Sequence, residues 1–198
     1  MKPLSLTLKN FGPYINETID FTKFEDSSLF LISGKTGSGK TTIFDGMSYA
    51  LFGESSGKLR LGKEMRSTFA DPSEATEVTL LFKHNEFLYE LNRLPEQELF
   101  KKRGTGVRKQ SAKISLIVKD AQGKELRAYS KRREVDELIQ ELLHLNANQF
   151  AQIVLLPQGE FRTFLIAKSD EKEKDVRNLF GTEHSPLLSD NLTDPLNI

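Results

Sequence analysis

Leu4, Leu6 and Leu8 alternate with polar positions, and after a break at Asn10-Phe11-Gly12-Pro13 apolar positions resume at Ile15, Ile19 and Phe21. Period-two patterning across a Gly-Pro break predicts a half-buried antiparallel strand pair. Leu29-Phe30-Leu31-Ile32 is a continuous apolar run, as expected of a strand covered on both faces, and it stops at Ser33-Gly34. Beyond the glycine-rich stretch, Ile43, Met47, Ala50 and Leu51 recur at i, i+4, i+7 and i+8, which predicts an amphipathic helix stopped near Gly53. The glycines therefore fall between a buried strand and a helix.

Residues 54–75 are polar and irregular and read mostly as loop. Val78–Phe82 and Phe87–Arg93 read as strands joined at His84-Asn85-Glu86, and Ile114–Val118 as another, with a basic loop between. Val135, Leu138, Ile139, Leu142 and Leu143 form a second helical stripe. Phe150–Leu156 is an apolar segment ending at Pro157-Gln158-Gly159. A third helix is expected from an N-cap at Ser169, with Asp170 and Glu171 in its first turn, to a C-cap at Gly181. No internal repeat or low-complexity tract interrupts this order.

The 198 residues suit one domain or one large lobe. With no cysteine, disulfide scaffolds, thiolate metal sites and cysteine nucleophiles are excluded, and three scattered histidines give little for a His-bound metal. No apolar run approaches the ~20 residues of a membrane span and the N-terminus lacks a signal-peptide core, so a cytoplasmic, membrane-free protein is expected. The formal charge is +0, from 28 basic and 28 acidic residues, but residues 101–133 hold 12 Lys or Arg against Asp120 and Glu125. Such a concentrated basic stretch predicts a local surface for an anionic partner.

Gly34-Lys35-Thr36-Gly37-Ser38-Gly39-Lys40-Thr41 satisfies G-x-x-x-x-G-K-[ST]. A polyphosphate needs many donors at close range. Successive backbone N–H groups supply them only where no side chain blocks the approach, hence Gly37 and Gly39. The helix that follows points its N-terminus at the anion. Lys40 can reach the β and γ phosphates and the Thr41 hydroxyl can complete a Mg²⁺ shell, with Thr42 next in line as a nucleotide contact. ATP and Mg²⁺ are the expected cofactors.

Several stretches together resemble a particular family. Residues 1–21 followed by ISGKTGSGKTTIFDGMSYALFG, then TEVTLLFKHNEFLYELNRLPEQ, and above all QFAQIVLLPQGEFRTFL with NLFGTEH, are similar to the N-terminal ATPase lobe of the bacterial SbcC family of SMC- and ABC-type ATPases. The resemblance covers roughly residues 1–184; residues 185–198, with two prolines and no heptads, read as an irregular tail or the boundary of an expressed fragment. It implies an α/β P-loop fold of the ABC/SMC head type: a mixed sheet, an antiparallel β subdomain, the start of a helical subdomain, and half of a split head. It further implies that Gln158 is the Q-loop residue, sensing Mg²⁺ and the γ-phosphate. The residue taken alone reads equally as an exposed turn between Pro157 and Gly159.

In that family the Walker B acids and signature motif lie in a second lobe, beyond a long coiled coil. Here the nearest Walker B imitation is Ile114–Val118 followed by Lys119-Asp120, and Ala121-Gln122-Gly123-Lys124 after it reads as a hairpin turn with no adjacent Glu. ATP binding is therefore expected of this chain and efficient hydrolysis is not. The implied partners are the chain's own C-terminal lobe, a second head, an SbcD-like nuclease subunit and double-stranded DNA, and the implied role is ATP-driven head dimerisation that regulates the nuclease.

Lys101, Lys102, Arg103, Arg108, Lys109 and Lys113 fall in 13 residues with no acid, and Arg127, Lys131, Arg132 and Arg133 follow. This segment suits sequence-independent contact with DNA phosphates. The competing reading is a solvated loop whose charges offset Glu134, Asp136 and Glu137. Residues 101–113 have no interleaved aromatics, so base stacking is not expected of them. Two other functions compete. A self-contained P-loop GTPase or small kinase would explain Asp120-Ala121-Gln122-Gly123, which has D-x-x-G spacing, but there is no N-K-x-D motif. A transporter-type ABC subunit would share the P-loop and Q-loop and would ignore DNA.

Overall fold

The first strand, β1 (Lys2–Phe11), turns through Gly12-Pro13 into β2 (Tyr14–Asp20), Phe11 standing opposite Tyr14. A computed structural model describes residues 1–24, 32–55, 62–101, 103–147 and 149–150. Leu29–Leu31 of the expected buried strand, most of the 150–156 segment, Gln158, the expected third helix and the tail lie outside the described residues. Met1–Asn148 forms one compact unit and Gln149–Ile198 a second.

The first unit is built on a six-stranded sheet in the order β2-β1-β3-β4-β7-β8, with β3 at Glu77–His84, β4 at Phe87–Leu94, β7 at Lys113–Lys119 and β8 at Glu125–Tyr129. All pairings among the described strands are antiparallel. The register aligns Leu6, Leu80, Leu91 and Leu116 in one row across four strands, and all four are fully buried. At roughly 1.5–3 kcal/mol for each such side chain removed from water, this row anchors the core. A neighbouring row holds Leu8, Val78, Arg93 and Ile114.

Helix α1 (Lys40–Phe52) packs on this face, coming so close to β1 that a Cβ on Gly46 would stand 2.6 Å from a Leu8 methyl. The expectation of an amphipathic α1 is corrected: Gly46, Ser48 and Tyr49 are buried as well as Ile43, Met47, Ala50 and Leu51. With sheet on one side and helix α2 (Arg132–Leu143) also in contact, the second half of α1 has little solvent-facing surface left. In α2 the predicted stripe is real, with Val135 and Ile139 buried and Leu138, Leu142 and Leu143 half-buried.

Three strands escaped the sequence reading. The loop expected between β4 and β7 contains a separate two-stranded hairpin, β5 (Gln97–Phe100) and β6 (Val107–Gln110). The Asp120–Lys124 turn leads into β8, a five-residue edge strand of the described sheet in which Leu126 and Ala128 alternate with Glu125 and Arg127 but are exposed like them. The half-buried expectation holds for β1 and fails for β2, where Ile15 is 46% exposed because no strand pairs with the outer edge among the described residues. Among the described residues of 54–75, the chain is irregular apart from a short 3-10 turn at Gly62–Met65 and a bridge from Arg66 to Phe11.

Candidate nucleotide-binding site

The phosphate loop is an exposed turn that runs from Ser33 to Gly39 and passes directly into α1 at Lys40. Ser38 N–H donates to the Lys35 carbonyl at 3.2 Å, closing the turn around Thr36 and Gly37. Gly37 and Gly39 have φ of 84° and 91°, the left-handed region in which a side chain is strained. Gly39 is the helix N-cap; no side chain caps the helix, and its first turn carries no acid. The first-turn amides and the positive end of the helix are thus presented to an anion from outside. Lys40 Nζ donates to the Gly34 and Lys35 carbonyls at 2.8 and 2.9 Å, which holds the ammonium over the loop. Lys35, Thr36, Ser38 and Thr41 are exposed and Thr42 is half-buried.

The β1–β2 turn supports this loop from below, a relation the sequence did not reveal. Tyr14 donates its hydroxyl to the Gly39 carbonyl at 3.1 Å. A Cβ on Gly39 would fall 2.6 Å from Pro13 Cγ and 3.0 Å from the Tyr14 oxygen. Burial, and secondarily Glu17, pushes the Tyr14 hydroxyl's pKa up, so it remains a donor at neutral pH. Gly12 N–H in turn donates to the Met65 carbonyl at 2.7 Å, which fixes the turn to the Gly62–Met65 segment.

At the other end of α1 stands Arg93. Its Nε donates to the Ala50 carbonyl at 3.0 Å, and Nη2 donates to the Leu51 carbonyl at 3.2 Å and to Asp136 Oδ1 on α2 at 3.0 Å. A cation on the last carbonyls of a helix satisfies orphan acceptors and complements the dipole. The residue is 5% exposed, and burial lowers its pKa while the Asp136 carboxylate opposes that shift. Asp136 also accepts from Arg132 Nε at 3.2 Å. Tyr49, beside this network, has its pKa pushed up to about 12 by burial, against the pull of Arg93 and Arg132. A charged residue in a buried strand row breaks the period-two pattern. The partner that explains it lies 43 positions away, beyond the reach of any local signal.

The decoy motifs resolve into structure. Asp120 Oδ1 accepts from the Gln122 and Lys124 amides at 3.0 and 2.9 Å, so its carboxylate shapes the β7–β8 turn. Among the described residues no group of three or more His, Asp or Glu side chains could hold a metal, and no helix is long and apolar enough to cross a membrane.

The basic segment divides in two. Lys131, Arg132 and Arg133 pair with Glu134, Asp136 and Glu137 along α2 at 2.8, 3.2 and 2.7 Å, as the solvated reading expects. Lys101, Arg103, Arg108 and Lys109 instead gather on the β5–β6 hairpin, and Lys113 opens β7; all five are exposed, and Lys109 lies 3.9 Å from Glu98. Lys102 falls outside the described residues.

Residues 5–187 match the family described as AAA domain. Three curated relatives are named as the SbcC subunit of the nuclease SbcCD. The protein of Lactococcus lactis subsp. lactis is 46% identical over 186 residues, 92% of this chain and 18% of that protein. The protein of Vibrio cholerae is 44% identical over 184 residues, again 92% and 18%, and that of Staphylococcus aureus strain JH9 is 44% identical over 196 residues, 99% and 19%. The chain thus spans under a fifth of the length of these relatives. A solved structure from work on ATP-driven dimerization and DNA-stimulated activation of SMC ATPases aligns over 90% of this chain and 99% of its own, at 16% identity and a TM-score of 0.45, a likeness too distant to fix the topology. With a left-handed glycine loop opening a helix at Lys40, and a family match running through nearly its whole length, the chain belongs to the AAA domain family, and its named relatives are SbcC proteins.

Proposed function

We propose that this chain is the ATP-binding lobe of the ATPase subunit of a nuclease complex that processes DNA breaks and hairpins. The observation that carries the proposal is the phosphate loop itself: Gly37 and Gly39 in left-handed conformation, α1 opening at Lys40 without a side-chain cap, and the Lys40 ammonium held over the loop. The site fits a nucleotide polyphosphate, since Gly37 has open space where a Cβ would sit and the loop is exposed. The amides of Gly37–Thr42 and the Lys40 ammonium would hold the phosphates. The Thr41 hydroxyl would ligate Mg²⁺, which neutralises phosphate charge. Gln158 is proposed as the residue that reports nucleotide state to the chain after it. The names of the relatives support assembly with an SbcD-like nuclease; a C-terminal lobe and a second head are the further partners proposed.

Hydrolysis is expected to need that second lobe. Asp120 serves a turn, and the sequence after Ile114–Val118 supplies no adjacent Glu. Steady-state Mg-ATP turnover by the 198-residue chain should match that of its Lys40→Ala variant at background, and adding the C-terminal lobe should raise only the wild type. Turnover by the chain alone that vanishes in Lys40→Ala would mean the catalytic set is complete here and the half-head reading is wrong.

Double-stranded DNA is the proposed partner of the hairpin cations. Changing Lys101, Lys102 and Arg103 together to Glu should flatten the dependence of log affinity on log salt, because about 0.9 counterions are released per phosphate neutralised. An unchanged slope removes these residues from the DNA contact.

A further inference from the structure

The β5–β6 hairpin carries more than charge. Phe100 stands directly opposite Val107, and both are large apolar side chains left in solvent, 53% and 48% exposed. Directly paired residues share a face, so Phe100 and Val107 lie on the same side as the Glu98–Lys109 pair. Leu99, on the other side, is fully buried. The outward face therefore presents an aromatic ring, a β-branched neighbour and, one pair along, Lys109 diagonal to the ring with the Glu98 carboxylate 3.9 Å from its ammonium. Lys101 follows the ring directly, its N–H donating to the Gly106 carbonyl at 3.1 Å, and Arg103 lies in the turn beyond.

The hairpin is also rigidly founded. Gln97 is buried, its Oε1 accepting from Thr76 N–H at 2.8 Å and its Nε2 donating to the Thr76 carbonyl at 3.2 Å. Phe100 N–H donates to the Pro72 carbonyl at 3.0 Å, and Arg66 ties the Asp71 and Glu74 carbonyls of the same loop at 2.8 and 2.6 Å. Rigid apolar groups at a tip ringed by cations suit insertion rather than passive solvation.

We propose that this tip contacts bases: Phe100, backed by Val107, stacks on an unpaired or splayed base at a DNA end, while Lys101, Arg103 and Lys109 hold the flanking phosphates. The charge favours nucleic acid over a protein partner. Six cations stand between Gln97 and Lys113 against one acid, Glu98, and lysine is depleted from protein interfaces. An aromatic face stacks on any base, and apolar wedges enter opened base steps, so the preference would be for open ends without sequence specificity. The inference rests on the proposed DNA contact and adds to phosphate binding a site that discriminates DNA structure. Stacking is not expected of the basic stretch from Lys101 onward; Phe100 lies one position before it, and its exposure follows from the hairpin.

The test is fluorescence anisotropy of the 198-residue chain with a blunt duplex and with the same duplex ending in four unpaired nucleotides. The wild type should bind the open end about fivefold or more tightly, from ~1 kcal/mol or more per stacked base. Phe100→Ala should abolish that preference while leaving blunt-duplex affinity and salt slope intact. Arg103→Gln with Lys109→Gln should weaken both DNAs alike and flatten the slope. A preference that survives in Phe100→Ala, or equal wild-type binding of both DNAs, overturns the stacking site and leaves the phosphate contact standing. Failure to bind either DNA overturns both. A dimer that Phe100→Ala converts to monomer assigns the face to a protein contact and overturns the proposal.

Discussion

Replacing Arg93 with alanine is expected to destabilise the first unit by about 3 kcal/mol or more, read as a shift in the urea midpoint. Three donor contacts disappear at once: two to the terminal carbonyls of α1 and one to Asp136. The carbonyls of Ala50 and Leu51 are left at a buried helix end, where unsatisfied acceptors cost about 1–3 kcal/mol each. Asp136 contributes less to the loss, because it is part-exposed and keeps Arg132. Asp136→Asn should accordingly cost about 1 kcal/mol, and Arg93→Lys should fall between, since one ammonium cannot reproduce the fork that spans two carbonyls and a carboxylate. A loss under 1 kcal/mol in Arg93→Ala would mean that the guanidinium is incidental to the docking of α1, β4 and α2.

Valine at Gly39 is expected to lower Mg-nucleotide affinity about a hundredfold while shifting the thermal midpoint little. The backbone there sits at φ 91°, which a β-branched residue adopts only with strain of about 1–3 kcal/mol. The new Cβ would stand 2.6 Å from Pro13 and 3.0 Å from the Tyr14 hydroxyl, so the loop must move off its support. Because the loop is exposed, this rearrangement releases strain without opening the core, but it disperses the amides aimed at the anion. Equilibrium binding of a fluorescent ATP analogue, read beside a melting curve, separates the two effects. Affinity within threefold of wild type would show that the Gly39 conformation does not shape the site.

These two residues also mark what was legible in the sequence. Gly39 lies in a motif whose spacing states its own chemistry, and the flanking helix through Gly53 followed from apolar periodicity alone. The strands β1, β3, β4 and β7 were readable from their apolar content: Leu6 and Leu91 alternate with polar neighbours, while Leu80 and Leu116 stand in short apolar runs with Leu81 and Ile117. At the edges of the described sheet less was legible: β2 read as the partner of β1 but not as exposed, and the short β8 was missed although Leu126 and Ala128 alternate with charge; β6, in the separate hairpin, has an exposed face of charge and a glycine-flanked turn. Arg93, Tyr14 and Pro13 act on the site through contacts 25 to 43 residues distant, which no local pattern encodes. Helix α1 joins these separate features, with the phosphate loop at its N-terminus and the Arg93 network at its C-terminus.

The most direct measurement is a calorimetric titration of the 198-residue chain with Mg-ATP, run beside Lys40→Ala. Saturable one-to-one binding is expected in the wild type, weakened about ten- to a hundredfold in the variant, since charge-assisted contacts from one ammonium contribute about 1.5–3 kcal/mol. Binding of equal strength by both proteins, or by neither under conditions where the wild type is folded, would contradict a nucleotide site at this loop.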